Sequence, residues 1–230
     1  MPSLATPSIA GTRDRDAASA TAPALTGTLL LSQLRTAAPE ADPEALALAL
    51  EARDCAVRSG AAVDAERLAL IDYSRPSTEP RMWVFDLRHA RLLYAEYVAH
   101  GRGSGENVPT LFSNREGSHQ SSLGLFATGG TYIGGNGYSL RMDGLEPGVN
   151  DAARERAIVI HGAAYVDPAT ARRQGRLGRS FGCPALRPAV AREMIDTLKD
   201  GQLLFAYYPD RAWLDRSRFL RCRTGSLAAR

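Results

Sequence analysis

The sequence contains few cysteines and histidines, and it lacks any long apolar run. Its 230 residues include three cysteines and four histidines. No C-x-x-C pair and no H-x-x-x-H spacing is present, so we expect no structural zinc site. Such scattered cysteines also exclude a disulfide-rich scaffold. No stretch approaches the roughly 20 apolar residues of a transmembrane helix, and no basic segment followed by an apolar one marks a secretory signal.

The remaining composition is that of an ordinary globular chain. Hydrophobic residues make up 44% and charged residues 23%, which supports a packed core and excludes global disorder. The net charge of +3 is small, and no dense Lys/Arg tract with interleaved aromatic residues points to nucleic-acid binding. The length suits one domain of moderate size with an extension.

Changes in composition and periodicity divide the chain into four segments. We predict a flexible leader, an N-terminal helical segment, a β-rich domain and a C-terminal tail, at residues 1–28, 29–62, 63–215 and 216–230. The leader is rich in Ala, Ser, Thr and Pro. In the helical segment, Asp42 and Pro43 are typical of a helix start and Gly60 of a helix end.

The β-rich domain consists of short apolar or alternating runs separated by Pro, Gly, Ser and Asn. This pattern predicts strands and tight turns within 67–74, 81–88, 91–100, 121–148, 156–161 and 202–209. Residues 167–180 are interpreted as a polar loop, residues 187–201 as a helix, and the Arg-rich chain from Asp210 as a partly frayed tail. The fold class is therefore mainly β, with helices at the front and one near the end.

Cys183, in the stretch RSFGCPAL, is the residue with the most chemical meaning. From the residues alone, four roles are open: a small buried residue, a disulfide partner, a metal ligand or a nucleophile. His161 follows the apolar run AIVI and precedes Cys183 by 22 positions. An imidazole within reach would remove the thiol proton so that the thiolate attacks a carbonyl. Backbone N–H groups around Gly182 and Cys183 would then stabilise the oxyanion.

The segments IHGAAYV and GRLGRSFGCPAL resemble the catalytic region of the L,D-transpeptidases, the YkuD-like domain of bacterial cell-wall enzymes. SHQSSLGLFATG and SLRMDGLEPGVNDAARERAIVIHGA extend the resemblance upstream, toward a branch described as a murein L,D-transpeptidase catalytic domain. The resemblance covers residues 65–210. It implies a YkuD-like β-sandwich with an N-terminal helical segment and a helix after the catalytic cysteine, and it makes residues 63–215 the catalytic domain.

The resemblance implies a role for each residue that matches the family's motif. Cys183 would be the nucleophile and His161 the general base. The backbone carbonyl of Gly162 would orient the imidazole. Ser180 and Gly182 match the Ser/Thr and the Gly of the family's signature, which precede the nucleophile.

Three residues next to the nucleophile depart from the family's commoner pattern. Phe181 stands where that pattern has His or Arg. Pro184 and Ala185 follow the cysteine in place of an apolar residue and Asn or Arg. These departures leave the Cys–His pair intact, and they bear on the shape of the acceptor pocket and so on which amine attacks.

Basic and aromatic side chains near the motif are candidates for binding substrate. Peptidoglycan stem peptides carry free carboxylates, and a guanidinium binds a carboxylate in bidentate fashion. Among several nearby arginines we expect Arg176 and Arg179 to face the site. The alternative for each is a solvated loop residue without a role in binding. Tyr132 and Tyr165 are expected to line the cleft, although a strand tyrosine is more often packed. His119 is expected at the rim, without a catalytic role.

The activity implied by the resemblance is a peptidoglycan L,D-transpeptidase that works through a cysteine thioester. Its partners would be donor and acceptor stem peptides, joined by 3–3 cross-links or by 1–3 cross-links that involve L-Ala. We expect no metal or other cofactor, no nucleic acid and no stable membrane insertion; the oligomeric state is left open. Carbapenems would be expected to acylate Cys183.

Two alternative functions remain open at this point. If water replaces the amine, the protein is an L,D-carboxypeptidase or a hydrolase of peptidoglycan cross-links. If the site is silent, it is a peptidoglycan-binding module. A papain-like protease is disfavoured, because there the nucleophile lies far upstream of its histidine. The substrate implies a periplasmic or cell-wall location, which would permit a Cys55–Cys222 disulfide.

Overall fold

The first part of the structure is a pair of helices. The computed structural model describes residues 27–62, 65–220 and 222, so the predicted leader lies outside the described residues except for its last two. Those two, Gly27 and Thr28, open helix α1, Gly27–Ala37. Helix α1 packs against the next helix, α2, and against the edge of the sheet.

Helix α2, Pro43–Arg58, has the boundaries that its sequence predicts. The Asp42 carboxylate accepts hydrogen bonds from the N–H groups of Glu44 and Ala45, at 2.9 and 2.8 Å, as an N-cap residue does. Gly60 follows the helix with a φ of 71°, a conformation that glycine adopts readily. Within the described part of the chain, no helix is long and apolar enough to span a membrane.

All nine strands of the described residues belong to one sheet, which is close to a barrel. In chain order they are β1 Arg67–Asp72, β2 Met82–Asp86, β3 Arg91–Glu96, β4 Val98–Ala99, β5 Gly124–Gly134, β6 Gly137–Gly144, β7 Val159–Gly162, β8 Ala185–Leu186 and β9 Leu203–Tyr207. Their spatial order is β3-β2-β1-β9-β5-β6-β7-β8-β4. The last strand in the chain therefore lies in the interior of the sheet, where it joins β1 to β5.

The centre of the sheet is buried on both faces. Strands β2 and β9 have no exposed residue, and in β1 only Arg67 is partly exposed. Helix α2 packs against β1 and β9, and helix α4, Pro188–Leu198, packs against β1, β6 and β7. This double cover explains why these strands are continuous apolar runs rather than alternating ones.

The mainly β class, the helical N-terminal segment and the helix after Cys183 are confirmed. The interpretation of residues 167–180 as a loop is wrong, because they contain helix α3, Pro168–Gln174. Asp167 caps α3 through the N–H groups of Ala169 and Thr170, and Gly175 ends it with a φ of 79°. These are the signals that define α2, but α3 has only Ala171 buried, so no apolar periodicity reveals it.

The chain after Asp210 is also more ordered than the sequence predicts. Residues Arg211–Leu214 form helix α5. Trp213 is 3% exposed and Phe219 is 1% exposed. The Trp213 indole donates a hydrogen bond to Glu146 at 3.2 Å. Two large aromatic side chains therefore anchor this segment to the core, although charged residues surround them in the sequence.

A disulfide joins Cys55 of α2 to Cys222, with a Cα–Cα distance of 5.7 Å. Cys183 is the free cysteine. The bond closes a loop of 167 residues, so it connects the helical segment to the far end of the described chain. Such a long loop loses much conformational freedom in the unfolded state.

Breaking this bond should therefore destabilise the whole domain. We expect Cys222→Ser to lower the free energy of unfolding by about 2–4 kcal/mol, measured by urea denaturation. Reductant should lower the midpoint of the wild type to that of the variant and leave the variant unchanged. Equal midpoints for the oxidised wild type and the variant would contradict this expectation.

Candidate active site

Parallel pairing of β7 with β8 brings the His161 and Cys183 segments side by side. His161 lies opposite Ala185 in the register of these strands. Cys183 is two residues before Ala185, and its sulfur lies 3.5 Å from the backbone nitrogen of Val159, two residues before His161. The structure thus places the predicted nucleophile beside the strand that carries the predicted base.

The structure narrows the four roles that were open for Cys183. It is not a disulfide partner, because Cys55 and Cys222 are bonded to each other. The described residues contain no group of three or more His, Cys, Asp or Glu side chains that could hold a metal ion. The thiol is 8% exposed and has polar contacts on both sides: the Val159 N–H donates to it, and it points its own proton at the Ala157 carbonyl, 3.7 Å away. A buried structural residue or a nucleophile remains.

Burial raises the pKa of the Cys183 thiol above that of an ordinary cysteine. Since the thiolate is the nucleophilic form, the resting thiol needs a base to remove its proton. The two N–H groups near the sulfur, of Val159 and of Cys183 itself, act in the opposite direction and favour the anion. The site therefore holds a protonated thiol in surroundings that can accept a thiolate.

His161 has the orientation and charge state of a general base. Its Nδ1 lies 3.0 Å from the carbonyl oxygen of Gly162. A carbonyl only accepts hydrogen bonds, so Nδ1 carries the proton and Nε2 has a free lone pair. Burial lowers the pKa of His161, which keeps the imidazole neutral near pH 7. In this structure no hydrogen bond joins the imidazole to the thiol; each bonds to backbone groups.

Ser180 and Gly182 fix the backbone around Cys183. The Ser180 hydroxyl donates to the Cys183 carbonyl at 2.7 Å and accepts from the Gly182 N–H at 3.0 Å. Gly182 has a φ of 127°, and a Cβ there would lie 2.9 Å from the Gln120 carbonyl oxygen. Two N–H groups, those of Gly182 and Cys183, are predicted to stabilise the oxyanion. The Gly182 N–H already donates to the Ser180 hydroxyl, whereas the Cys183 N–H has no backbone or hydroxyl partner among the described residues.

Ser121 is a supporting residue that the sequence analysis missed. Its hydroxyl donates to the Gly182 carbonyl at 3.1 Å and accepts from the Gly101 N–H at 3.0 Å. The Ser180 N–H donates to the His100 carbonyl at 2.9 Å. These bonds tie the cysteine loop to residues 100–104. Ser121 lies in SHQSSLGLFATG, a segment that carries part of the family resemblance, but the sequence does not show its role because its hydrogen-bond partners are distant in the chain.

A buried arginine supports this segment from behind. Arg81 is 0% exposed and donates to the Val98 and Arg75 carbonyls and to Nδ1 of His100, the last at 2.7 Å. Since Nδ1 accepts, His100 is neutral, with its Nε2 proton directed at the Gly105 carbonyl. Burial and the adjacent guanidinium lower the pKa of His100 to about 3. Its charge therefore does not change across the working pH range.

The Arg156 guanidinium is the positive charge that lowers the pKa of the Cys183 thiol. Its guanidinium donates to the carbonyls of Ser113 and Gln120 at 2.7 and 2.6 Å, and to the hydroxyls of Ser122 and Ser118. Among the described residues it has no carboxylate partner. Its charge lowers the pKa of Cys183 and offsets part of the effect of burial. The sequence analysis missed Arg156, which lies three residues before the first residue of the His161 strand.

The two arginines predicted to bind substrate meet at one carboxylate. Arg176 and Arg179 both bond to Glu106, each at 2.8 Å. Arg179 also donates to the Gly105 carbonyl at 2.8 Å. The structure brings these side chains together beside residues 105–106, where Glu106 neutralises them, and gives neither of them a contact with Cys183 or His161.

The two predicted tyrosines lie on different elements, Tyr165 in the connection after β7 and Tyr132 on β5. Tyr165 is 39% exposed and packs against Gly178, where a Cβ would lie 2.4 Å from that of Tyr165. Burial and the nearby Cys183 raise the pKa of Tyr165 to about 12, so it remains a hydrogen-bond donor. Tyr132 is separated from His161 by one strand, since both residues pair with Ser139 of β6.

Phe181 lies two residues before Cys183 and is exposed, and we call this side chain the exposed lip of the site. It is 63% exposed. The Arg102 guanidinium lies 4.4 Å from its ring centroid, and the His119 ring lies 4.6 Å away. His119 thus lies at the rim, where the sequence places it. Where the family pattern has a polar side chain, this chain has the aromatic ring of Phe181. The Arg102 guanidinium stacks on that ring.

Comparison with known protein families identifies the family to which this chain belongs. The model of a YkuD-type family, the L,D-transpeptidase catalytic domain, matches residues 37–207. The chain belongs to this L,D-transpeptidase family. Its mainly β fold is the L,D-transpeptidase fold that the resemblance implies. The family acts on peptidoglycan stem peptides.

Solved structures of L,D-transpeptidases are distant neighbours. One from Mycobacterium smegmatis has a TM-score of 0.38 and 15% identity, over 63% of this chain and 59% of that one. L,D-transpeptidase 1 of Mycobacterium tuberculosis has a TM-score of 0.34 and 13% identity, over 62% of each chain. One from Stackebrandtia nassauensis has a TM-score of 0.38 and 12% identity, over 79% of this chain and 92% of that one.

The family assignment rests on the family model, since likenesses at these TM-scores carry no conclusion. The chain spans about three fifths of the length of the first of these neighbours, 59%. A search of curated proteins finds no match.

Removal of the Arg156 charge should make the thiol harder to ionise. We expect Arg156→Gln to slow alkylation of Cys183 by iodoacetamide about threefold or more at about pH 8, because the thiolate loses a nearby cation. The other two cysteines are bonded to each other, so intact mass reports on Cys183 alone. The pH dependence of the alkylation rate should shift to higher pH.

Arg154→Gln is the matched control. Arg154 lies two residues away but is exposed and pairs with Asp143, so its loss should leave the alkylation rate unchanged. If both variants shift the pH profile equally, the effect is one of net charge, and the assignment of Arg156 to the thiol is wrong.

Proposed function

We propose that this protein joins peptidoglycan stem peptides by L,D-transpeptidation through a thioester on Cys183. The observation that carries the proposal is the pairing of β7 with β8. It sets a buried thiol beside the strand of a neutral His161 whose Nδ1 proton is held by Gly162. A base of this orientation and a thiol without a disulfide or metal partner are what acyl transfer needs.

In the first half-reaction the thiol gives its proton to Nε2 of His161. The thiol points at the Ala157 carbonyl at rest, so its side chain must rotate toward the imidazole before this transfer. The thiolate then attacks the carbonyl of the L-centre of diaminopimelate in a donor stem, which is bonded to the terminal D-residue. The Cys183 N–H is the nearest backbone donor for the resulting oxyanion. Collapse of the intermediate expels the terminal D-residue, whose amine takes the proton from His161, and leaves a thioester.

In the second half-reaction an amine of another stem attacks the thioester carbonyl. His161 accepts a proton from this amine, and the departing Cys183 thiolate is protonated again. The product is a 3–3 cross-link if the amine is that of diaminopimelate, and a 1–3 cross-link if it is that of L-Ala. The exposed lip at Phe181 adjoins the nucleophile, and it is the surface that would distinguish these acceptors.

The location proposed for the protein is the periplasm or cell wall, where peptidoglycan lies. The Cys55–Cys222 disulfide supports this proposal, because such bonds persist in oxidising compartments. The free Cys183 is compatible with the same setting, since it is 8% exposed and the other two cysteines are bonded to each other.

Acylation by a carbapenem separates the catalytic proposal from a silent module. We expect one covalent adduct per chain by intact mass, absent in Cys183→Ala. We also expect His161→Gln to slow its formation about a hundredfold or more, because general base catalysis contributes this much. Circular dichroism should show both variants folded. A wild-type protein without an adduct, or a Cys183→Ala variant that retains one, would sink the proposal.

Product analysis on disaccharide-tetrapeptide distinguishes the enzymatic alternatives. The transpeptidase should release the terminal D-residue and form dimeric muropeptides, whose fragmentation identifies the acceptor amine. Shortened monomers alone would show an L,D-carboxypeptidase, and cleavage of isolated dimers a cross-link hydrolase. The first result is the one we expect, and either of the others replaces the proposed acyl acceptor by water.

A further inference from the structure

One face of strands β5 and β6 continues directly from the active-site histidine. Tyr132 pairs with Ser139, and Ser139 pairs with His161. Paired residues of neighbouring strands point to the same face of a sheet, and so do residues two apart on one strand. Arg141, two residues after Ser139, therefore shares this face. We call the surface formed by Tyr132, Ser139 and Arg141 the β5–β6 floor.

The β5–β6 floor lies on the face of the sheet opposite helix α4. The opposite face is covered by α4: Tyr138 of β6 bonds to Asp196 of that helix at 2.7 Å. On the floor's own face, the connection between β7 and β8 covers β8. Apolar residues of this connection pack against Ala185 of β8, namely Ala163, Val166, Ala171 and Leu177. Within the floor Ser139 is fully buried beside His161, whereas Tyr132 and Arg141 are partly exposed, so a ligand would meet the floor at these two side chains.

Two glycines of β5 keep the floor clear beside Arg141. The pairing of β5 with β6 shifts register between Thr128 and Thr131, opposite Arg141. The residues in this irregular stretch are Gly129 and Gly130. A Cβ at Gly129 would lie 3.3 Å from the Arg154 guanidinium, which is paired with Asp143, and 3.5 Å from the Arg141 Cβ, whereas one at Gly130 would meet nothing within 4 Å. The space next to the Arg141 side chain is therefore free of other side chains from β5.

Arg141 is a positioned guanidinium without an anionic partner among the described residues. Its guanidinium carbon lies 4.2 Å from the Tyr132 ring centroid. Its hydrogen bond to the Thr131 carbonyl is long, at 3.5 Å. The acid nearest in the strand, Asp143, is paired with Arg154. Stacking on an aromatic ring orients the planar group and leaves its N–H edges free for an acceptor.

We propose that Arg141, held by Tyr132 on the β5–β6 floor, binds a free carboxylate of the donor stem peptide. This inference rests on the proposed function, and it assigns substrate recognition to a residue other than Arg176 and Arg179, which Glu106 already neutralises. The ligand class is a peptide carboxylate, which a guanidinium binds through two parallel hydrogen bonds. The candidates are the side-chain carboxylate of diaminopimelate, the carboxylate of the preceding glutamate and that of the terminal D-residue.

The spacing of the strands fits such a ligand. Arg141 lies opposite Val159, and the Val159 N–H contacts the Cys183 sulfur. The backbones of β6 and β8 are two strand spacings apart, about 10 Å. An extended peptide advances about 3.3 Å per residue. A carboxylate on a neighbouring residue, or at the end of a long side chain, therefore reaches Arg141 while the attacked carbonyl lies at the thiol.

Steady-state kinetics with disaccharide-tetrapeptide as donor provide the first test. We expect Arg141→Gln to raise KM about tenfold or more with a smaller change in kcat, because a charged bidentate contact is lost. Arg141→Lys should recover part of the loss, since it keeps the charge but not the fork. Alkylation of Cys183 by iodoacetamide, a neutral reagent, should be unchanged in both variants, which shows that the nucleophile is intact.

Arg192→Gln is the matched control for charge and for ring stacking. Arg192 lies 4.3 Å from the ring centroid of Tyr138, but on the α4 side of the sheet. Its loss should leave KM unchanged. If Arg141→Gln does not fold, Arg141→Lys carries the comparison. An Arg141 variant with the KM of the wild type, or an equal rise in the Arg192 variant, overturns the inference.

Amidated donors identify the carboxylate and separate this inference from the proposed function. Peptide binding is measured by calorimetry on Cys183→Ala, with and without Arg141→Gln. The affinity difference between the two proteins should vanish for the donor amidated at the recognised position, which is diaminopimelate, glutamate or the terminal D-residue, and persist for the others. If it persists for all three, the inference is wrong. Arg141-dependent binding without turnover by the wild type would instead overturn the proposed function alone.

Discussion

The parallel pairing of β7 with β8 is the constraint on which the rest of the site depends. Parallel neighbours cannot be joined by a tight turn, so the chain must leave the end of β7 and return to the same edge. Residues 163–184 make this connection and contain α3, the cover over β8, Tyr165 and the cysteine loop. Substrate access on this side and the position of the nucleophile are thus consequences of one pair of short strands.

Electrostatics in the site are a balance between burial and uncompensated charge. Burial alone would hold the Cys183 thiol protonated and His161 neutral, and both effects are present. Arg156 opposes the first effect because its partners are neutral carbonyls and hydroxyls, which orient the guanidinium without cancelling its charge. Arg81 has the same type of environment behind the loop. Neutral partners thus let the domain keep cations inside without adding carboxylates that would repel a thiolate.

Local signals predicted much of the fold, and they failed where tertiary contacts decide. Asp42, Pro43 and Gly60 mark α2 because capping acts between near neighbours in the chain. The same kinds of residue mark α3, but its single buried position carries no periodicity. Trp213 and Phe219 are recognised as anchors only from the core they enter.

The site shows the same division between local and distant contacts. Cys183 and His161 stand out by motif, and the hydrogen bonds of Ser180 and Gly182 are local. Ser121 and Arg156 reach the cysteine loop through distant pairings, so their sequence neighbours give no sign of it. The sequence likewise could not show that Arg176 and Arg179 converge on Glu106.

The position of β9 has a further consequence, for the order in which the molecule can be assembled. The two groups of strands, β3-β2-β1 and β5-β6-β7-β8-β4, are connected in the sheet only through residues 203–207. A chain that emerges from its N-terminus onward therefore exposes unpaired edges on β1 and β5 until almost its whole length is present. Folding must wait for contacts between residues far apart in sequence, which are slow to form. The sheet is therefore completed in one late step, when β9 pairs with β1 and β5, rather than in stages.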